Sequence, residues 1–173
     1  MTNWCQNRLV VTGAEDALGA WRAAQRGAHP GAGGQVAAQD LSFAAQVPVP
    51  PDVVARGDTG ALRQVASRLA SGPLDAAAWQ ALHWGSSRDA ADVAVTAAPG
   101  ALTVTFATAW APPVPWLGRV ASLWPALTFE LWGIEPGNDL FVHAHWHAGQ
   151  LVRLEERTPT AGELLAWGYE PDA

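Results

Sequence analysis

The spacing of apolar residues changes along the chain in an order that few folds can accommodate. Apolar and polar residues alternate at 7–12, from 92 to a turn at Pro99-Gly100, at 102–107 and at 127–132. Alternation with period two is typical of strands that bury one face. Helical spacing occupies residues 14–26 before the second strand and 115–124 before the fourth. The predicted order is therefore strand, helix, strand, strand, helix, strand.

This order is that of the ferredoxin-like split β-α-β arrangement, an α+β fold in which an antiparallel sheet carries both helices on one face. We predict such a core over residues 3–27 and 90–135 of a single domain that spans residues 1–173. Between the two parts of the core, residues 28–89 form a predicted helical insertion after the first helix. A C-terminal hairpin plus a short helix are expected at 138–170.

The insertion contains several Gly- and Pro-rich segments, which interrupt helices and strands. Residues 29–39 are rich in Gly and Ala and predict a loop, and an extended segment is expected to run from Leu41 into the prolines that end at Pro51. Helical spacing then predicts two short helices, one at 62–69 and one that contains Trp79 and ends at Gly85.

The composition excludes several classes of protein. With 49% hydrophobic and 15% charged residues, the chain has the composition of a folded globular protein. A net charge of −6 disfavours single-stranded nucleic acid as a partner, because polyanions need clustered basic residues. A single Cys excludes a disulfide framework. Without a basic, apolar leader or a spanning apolar run, we expect a cytoplasmic protein that does not enter a membrane.

Five short motifs resemble one protein family. They are Asn3-Trp4-Cys5-x-Asn7-x-Leu9-x-Val11-x-Gly13, Phe43 with Val47-Pro48-x-Pro50, Trp84-Gly85, Phe106-x-Thr108-Ala109-Trp110-x-Pro112-Pro113-x-Pro115-Trp116, and Glu135-Pro136-Gly137. Together they resemble the YubB-like family of plasmid- and phage-borne proteins, over the chain up to about residue 155. The resemblance implies a ferredoxin-like domain and a mobile genetic element as its setting. It brings no established reaction. The chain departs from the family pattern at Ser86-Ser87-Arg88-Asp89, where a basic residue and an aromatic residue are usual.

Tryptophan is unusually frequent, with 10 residues in 173. Trp21, Trp79, Trp124, Trp146 and Trp167 fall at core spacing, whereas Trp132 lies opposite the core side of its strand, where we expect another segment to cover it or solvent to reach it. Another set lies at the ends of predicted elements, beside prolines that stiffen the chain: Trp4, Trp84, Trp110 and Trp116, with Glu135 at a nearby turn. This Trp/Pro-rich rim is a candidate site for a ligand, a peptide or an unstacked base. The alternative is that these side chains plug the open end of the sheet and cover the insertion.

Three histidines, His143, His145 and His147, alternate along one predicted strand and therefore share a face. Two imidazoles at such spacing can bind one zinc ion, with a carboxylate from Glu130 or Glu135 completing the site. The alternative is a solvated outer face of the terminal hairpin.

The favoured hypothesis is therefore a soluble, non-enzymatic binding protein of a mobile genetic element, with a protein or small ligand as partner and no cofactor. One competing hypothesis is a metal-dependent hydrolase centred on the three histidines, with zinc as its metal. Another is an accessory protein that inhibits a host defence system. No catalytic residue is assigned: Cys5 with His83 as its base would be a nucleophilic pair, but a buried cysteine is the better interpretation.

Overall fold

A six-stranded antiparallel sheet forms the centre of the molecule. The computed structural model describes residues 3–30, 36–55 and 75–170. Its strands, in chain order, are β1 Trp4–Thr12, β2 Gly27–Pro30, β3 Val36–Gln39, β4 Ala91–Ala98, β5 Ala101–Ala109, β6 Thr128–Glu135, β7 Leu140–His147 and β8 Gln150–Arg157. The sheet has the order β4-β5-β1-β6-β7-β8, and β2 pairs separately with β3.

Six helices accompany the strands in the described part of the chain. They are α1 Glu15–Gln25, α2 Phe43–Gln46, α3 Pro51–Val54, α4 Ala76–Trp84, α5 Val114–Leu123 and α6 Ala161–Ala166, and a 3-10 turn occupies Pro136–Asn138. Leu18 of α1 and Leu117 of α5 join one apolar cluster with Leu9 of β1 and Leu131 of β6. Both helices therefore pack on the same face of the sheet.

The elements β1, α1, β4, β5, α5 and β6 follow one another as predicted, and their strands lie side by side in the order β4-β5-β1-β6. This is the ferredoxin-like arrangement, so the predicted α+β fold class is confirmed. The hairpin of β7 and β8 extends the sheet beyond β6. None of the described helices has the length and apolar character needed to cross a membrane.

The insertion differs in part from the prediction. The ends of the expected loop at 29–39 belong to paired strands, β2 and β3, and the expected extended segment contains the one-turn helix α2. Helix α4 ends as predicted, at Gly85, which adopts the left-handed conformation with φ of 85°. The helix predicted at 62–69 lies outside the described residues.

The two faces of the sheet have different character, and strand alternation decides which residue faces which side. We call the side that carries α1 and α5 the covered face, and the opposite side the open face. Along β1, Cys5, Asn7, Leu9 and Val11 are buried on the covered face, whereas Trp4, Gln6 and Arg8 are exposed on the open face. The strand register continues both rows: Leu9 lies beside Leu131, and Arg8 lies beside Trp132.

The C-terminal segment returns to the open face. Helix α6 begins with a capping box, in which Thr160 and Glu163 satisfy each other's backbone N–H groups. Beneath this segment, Ile134 and Phe141 are buried even though they lie on the open face of β6 and β7. The C-terminal segment therefore covers one end of the open face.

Candidate ligand-binding site

A row of three side chains crosses the open face at its centre. The Arg8 guanidinium lies 4.6 Å from the centre of the Trp132 ring, at cation–π distance. On the neighbouring strand, the His143 imidazole stacks on Trp132 with ring centres 5.0 Å apart and planes inclined by 8°. Because Arg8, Trp132 and His143 are direct neighbours in the register of β1, β6 and β7, the sheet itself fixes this order.

The charges at the two ends of this row differ in how they are compensated. His143 Nε2 lies 2.8 Å from Glu130 Oε1, so a carboxylate holds the imidazole in place. Within the described residues, Arg8 forms no ion pair with any carboxylate. Arg8 is therefore an exposed cation whose five donors are available to an anion.

A pocket of about 470 Å³ opens beside this row, between the sheet and α6. Its lining residues come from four strands and the C-terminal segment: Arg8, Thr105, Trp132, Phe141, Glu163, Ala166 and Trp167. Three of the seven are aromatic, so part of the wall suits a planar ring. Pockets of this size are ordinary for small ligands.

Helix α6 is held over the pocket by one bidentate ion pair. Arg157 donates from Nη2 to Glu163 Oε1 at 2.6 Å and from Nη1 to Glu163 Oε2 at 2.8 Å. Hydrogen bonding from Arg157 lowers the pKa of Glu163 to about 2. The Arg157 guanidinium also lies 4.5 Å from the centre of the Phe141 ring, which places the ion pair on the pocket floor. Arg157 therefore neutralises Glu163, so the pocket wall has no uncompensated negative charge at this position.

The Trp/Pro-rich rim is only partly exposed. Trp84 and Trp116 are 1% and 0% exposed, and their indole N–H groups donate to the backbone carbonyls of Val47 and Phe43. This corrects their interpretation as rim residues: they fill the space between the sheet and the insertion, as the plug alternative predicts. Buried indoles need such hydrogen-bond partners, and α2 with its following turn supplies them.

Trp4 and Trp110 do present indole surface, with 40% and 46% of each residue exposed. They lie close together because the Trp110 N–H donates to the Asn3 carbonyl at 2.9 Å. Trp4 also shares the open face of β1 with Arg8. The two predicted residues that reach solvent therefore lie on or beside the surface that contains the pocket.

Glu135 is a turn residue in the structure. It is 4% exposed, and its Oε1 accepts a hydrogen bond from the Gly137 N–H at 3.0 Å. Burial at the start of the 3-10 turn keeps this carboxylate away from the pocket lining. Its predicted role in contacting a partner is therefore corrected: at this position it caps the turn.

The three histidines share the open face of β7, as the alternation predicts, but their rings bond to different neighbours. His143 bonds Glu130, one of the two predicted carboxylates, and His147 Nδ1 lies 3.1 Å from Thr128 Oγ1. Among the described residues, no group of three His, Cys, Asp or Glu side chains is placed to hold a metal ion. The reason is geometric, since alternate residues of a strand lie about 6.6 Å apart and the rings do not converge.

Cys5 and His83 do not form a nucleophilic pair in the structure. Cys5 is completely buried, and burial raises the pKa of its thiol to about 12. His83 instead stacks on Trp79 and its Nδ1 lies 2.9 Å from Arg119 Nη2. The interpretation of Cys5 as a buried structural residue is confirmed.

The sequence assigns no site role to Arg8, Phe141 or Glu163, and it predicts Trp167 at core spacing, whereas Trp167 is half-buried in the pocket wall. These four residues are most of the pocket lining. One signal was available for Arg8: alternation with Leu9 places it on the open face, and the ferredoxin-like order places β1 beside β6. The contribution of α6 carried no such signal, because it depends on the contact between Arg157 and Glu163.

Comparisons with known proteins agree with this fold. Residues 81–156, from the end of α4 to β8, match the model of a family described as the ferredoxin-like domain in Api92-like protein. This part of the chain is similar to that domain. The crystal structure of the protein Api92 from Yersinia pseudotuberculosis superposes with a TM-score of 0.58 at 11% identity, over 92% of this chain and 99% of that one. An identity this low shows a shared fold alone. The comparison with curated proteins finds no match.

Proposed function

We propose that the protein is a non-enzymatic binding protein, and that its ligand carries a planar ring and an anionic group. The observation that carries the proposal is the Arg8 guanidinium over Trp132, without a carboxylate partner among the described residues, at a pocket of about 470 Å³. Because Arg8 and His143 already flank Trp132, a ring would stack against Trp167 and meet the edge of Trp132, and its anionic group would pair with Arg8.

Electrostatics favour a small ligand over a nucleic-acid chain. The net charge of −6 repels a polyanion, whereas a single anionic group needs only one local cation. Arg157 neutralises Glu163, so the carboxylate in the wall adds little repulsion. Trp4, further along the same face of β1, offers a second aromatic surface for a longer ligand.

The lining supports binding rather than catalysis. Among the described residues that line the pocket there is no Cys, Ser or His, and its only carboxylate is committed to Arg157. His143 lies on the side of Trp132 away from Arg8 and is bonded to Glu130. A general base would need a titratable group within reach of the bound ligand.

The setting we propose is a mobile genetic element, on the strength of the motif resemblance alone. A binding protein of such an element could act by sequestering a host ligand or by occupying a component of a host defence system. Recovery of a stable partner from the native host would identify which of these roles applies.

The proposal is tested by pairs of probes that share a ring system, of which one member carries an anionic group and the other is neutral. Isothermal titration calorimetry would compare AMP with adenosine, and indole-3-acetate with indole-3-acetamide. We expect the anionic member of each pair to bind at least about tenfold more tightly, since one charge-assisted hydrogen bond contributes about 1.5 kcal/mol or more.

Two variants and one control locate the site. Arg8→Gln is expected to remove the preference for the anionic probe, and Trp132→Leu is expected to weaken both members of a pair. Arg119→Gln, a change at an exposed arginine on the covered side of the molecule, is the control and should leave binding unchanged. Equal binding by wild type and Arg8→Gln would contradict the proposal, as would no binding of any probe.

A further inference from the structure

The outermost strand, β8, has an open edge. In the described part of the chain it pairs only with β7, so the backbone groups along its other side have no strand partner. Of the nine large hydrophobic residues that the described chain exposes, three lie on this strand: Leu151, Val152 and Leu154. The same strand carries four charged residues, Arg153, Glu155, Glu156 and Arg157. An unpaired edge with exposed apolar side chains is a template for pairing with another chain, and its charged residues restrict which partner and register it accepts.

We propose that β8 pairs antiparallel with β8 of a second copy of this chain, about a two-fold axis that passes beside Leu154. The two sheets then join into one, and each copy covers the edge of the other. Such an interface is isologous, meaning that the same surface contributes on both sides.

Charge selects the register. Opposite residues of antiparallel strands share a face, so a symmetric pairing must place one residue opposite its own copy. Within one chain, Arg153 Nη2 already donates to Glu155 Oε2. If the central residue is Leu154, Arg153 of each chain also faces Glu155 of the other, so opposite charges alternate across the axis and the favourable cross-chain pair occurs twice. Centring on Arg153 would oppose two arginines, and centring on Glu155 would oppose two glutamates, both of which are destabilising.

The two faces of the strand fit this register. Leu154 pairs with Ala144 of β7 and so lies on the covered face, where two copies of the leucine would bury each other. Arg153 and Glu155 pair with His145 and His143, which places the charges on the open face. The register shift in β8 lies before Arg153, so the central segment is regular.

The opposite edge of the sheet lacks these properties. Strand β4 carries a register shift between Ala91 and Ala94, and Asp92 there has a φ of 52°. Strand β8 carries a register shift too, between Leu151 and Arg153, so the side chains and not the shift distinguish the two edges. The remaining exposed side chains of β4 are small, and the strand offers no leucine or charged pair at its centre. The second copy is therefore expected at β8.

One geometric consequence follows from a two-fold axis perpendicular to the sheet. The two open faces lie on the same side of the joined sheet, so a dimer would present two pockets in the same direction. Dimer formation does not require ligand, and its test is independent of the ligand proposal.

The experiment is sedimentation equilibrium of the full chain over a wide concentration range, with circular dichroism to verify folding. Wild type is expected to show a concentration-dependent monomer–dimer equilibrium. Arg153→Glu and Glu155→Arg, each alone, oppose like charges across the axis and should raise the dissociation constant at least about tenfold.

The decisive measurement mixes the two single variants. A chain with Arg153→Glu faces a chain with Glu155→Arg through two favourable pairs, so the mixture should form a heterodimer at concentrations at which each variant alone is mostly monomeric. Thr103→Glu, on β5 away from the edge, is the control and should leave the wild-type equilibrium unchanged. A wild type that stays monomeric at all concentrations would overturn the proposal, as would single variants that dimerise as wild type does.

Discussion

The two faces of the sheet use the same residue type for opposite purposes. On the covered face, Trp116 is fully buried and its N–H is bonded to a carbonyl of the insertion. On the open face, Trp132 remains partly exposed between Arg8 and His143. The difference lies in the neighbours, because a helix and an insertion close over one indole whereas only polar side chains flank the other. Tryptophan content alone therefore says little about where a ligand binds.

The largest loss of stability, and the clearest difference between the two faces, is expected for Trp116→Ala. The change leaves a cavity in the core and a carbonyl of Phe43 without its donor, so we expect a loss of about 3–5 kcal/mol in the free energy of unfolding. Trp110→Ala, at a residue that is 46% exposed, should cost less than about 1 kcal/mol. Urea denaturation measures both, and equal losses would show that the covered face is not the stabilising one.

The next largest change in the free energy of unfolding is expected when a methyl group is added on the covered face. In Gly133→Ala, the new Cβ would overlap Pro112 Cγ and lie 2.9 Å from Asn7 Oδ1, so the loop after β5 must shift. We expect a loss of about 1–3 kcal/mol from overpacking. Gly19→Ala is the matched control: nothing lies within 4 Å of its Cβ, and an exposed helical position should gain up to about 1 kcal/mol. Thermal unfolding of the two variants should shift in opposite directions.

On the open face, acid should release α6 before it unfolds the sheet. The pKa of Glu163 in the folded protein, about 2, lies below its ordinary value of 4.5. The ion pair with Arg157 therefore stabilises the docked helix fully above pH 4.5, and this contribution is lost as pH falls toward 2. We expect the NMR signal of the Trp167 indole to move over that interval.

The variant Glu163→Gln should reproduce this release at neutral pH. Hydrogen-exchange protection of the α6 amides should fall while that of β1 and β6 stays high. An unchanged Trp167 signal in the variant, or loss of protection in the whole sheet, would show that α6 is not held separately.

The smallest effect is expected for Arg8→Gln. Its cation–π contact with Trp132 is exposed and should contribute about 0.5–1 kcal/mol to the free energy of unfolding. The same change is expected to remove the preference for anionic probes. A large loss of stability in this variant would mean that the row on the open face is structural, and the contrast between the faces would disappear.

The order of strands and helices was predictable because each element has its own apolar period. The capping box at Thr160 and the stop at Gly85 were also readable, since both depend on residues within one helical turn. What local patterns could not show was contact between distant segments. The indole N–H of the buried Trp84 donates to the carbonyl of Val47, 37 residues earlier, and Arg8 is placed by a strand register that no local pattern determines.

The strands β2 and β3 were missed for a related reason. Their residues are mostly small, and apolar and polar residues do not alternate along them. The pairing between their backbones is therefore not visible in the sequence pattern. The same applies to the pocket, whose walls come from β1, β5, β6, β7 and the C-terminal segment. Sites built from many strands appear in sequence only as scattered residues.

The sole thiol of the chain is a built-in reporter of sheet opening. Cys5 lies inside the sheet with Asn7 and Thr108 around it, and its protonated sulfur is both shielded and unreactive toward alkylating reagents. Chemical labelling would therefore proceed only through molecules in which β1 has separated from its neighbours. The rate of iodoacetamide incorporation, followed by mass spectrometry, would measure how often the centre of the protein opens, without any engineered label.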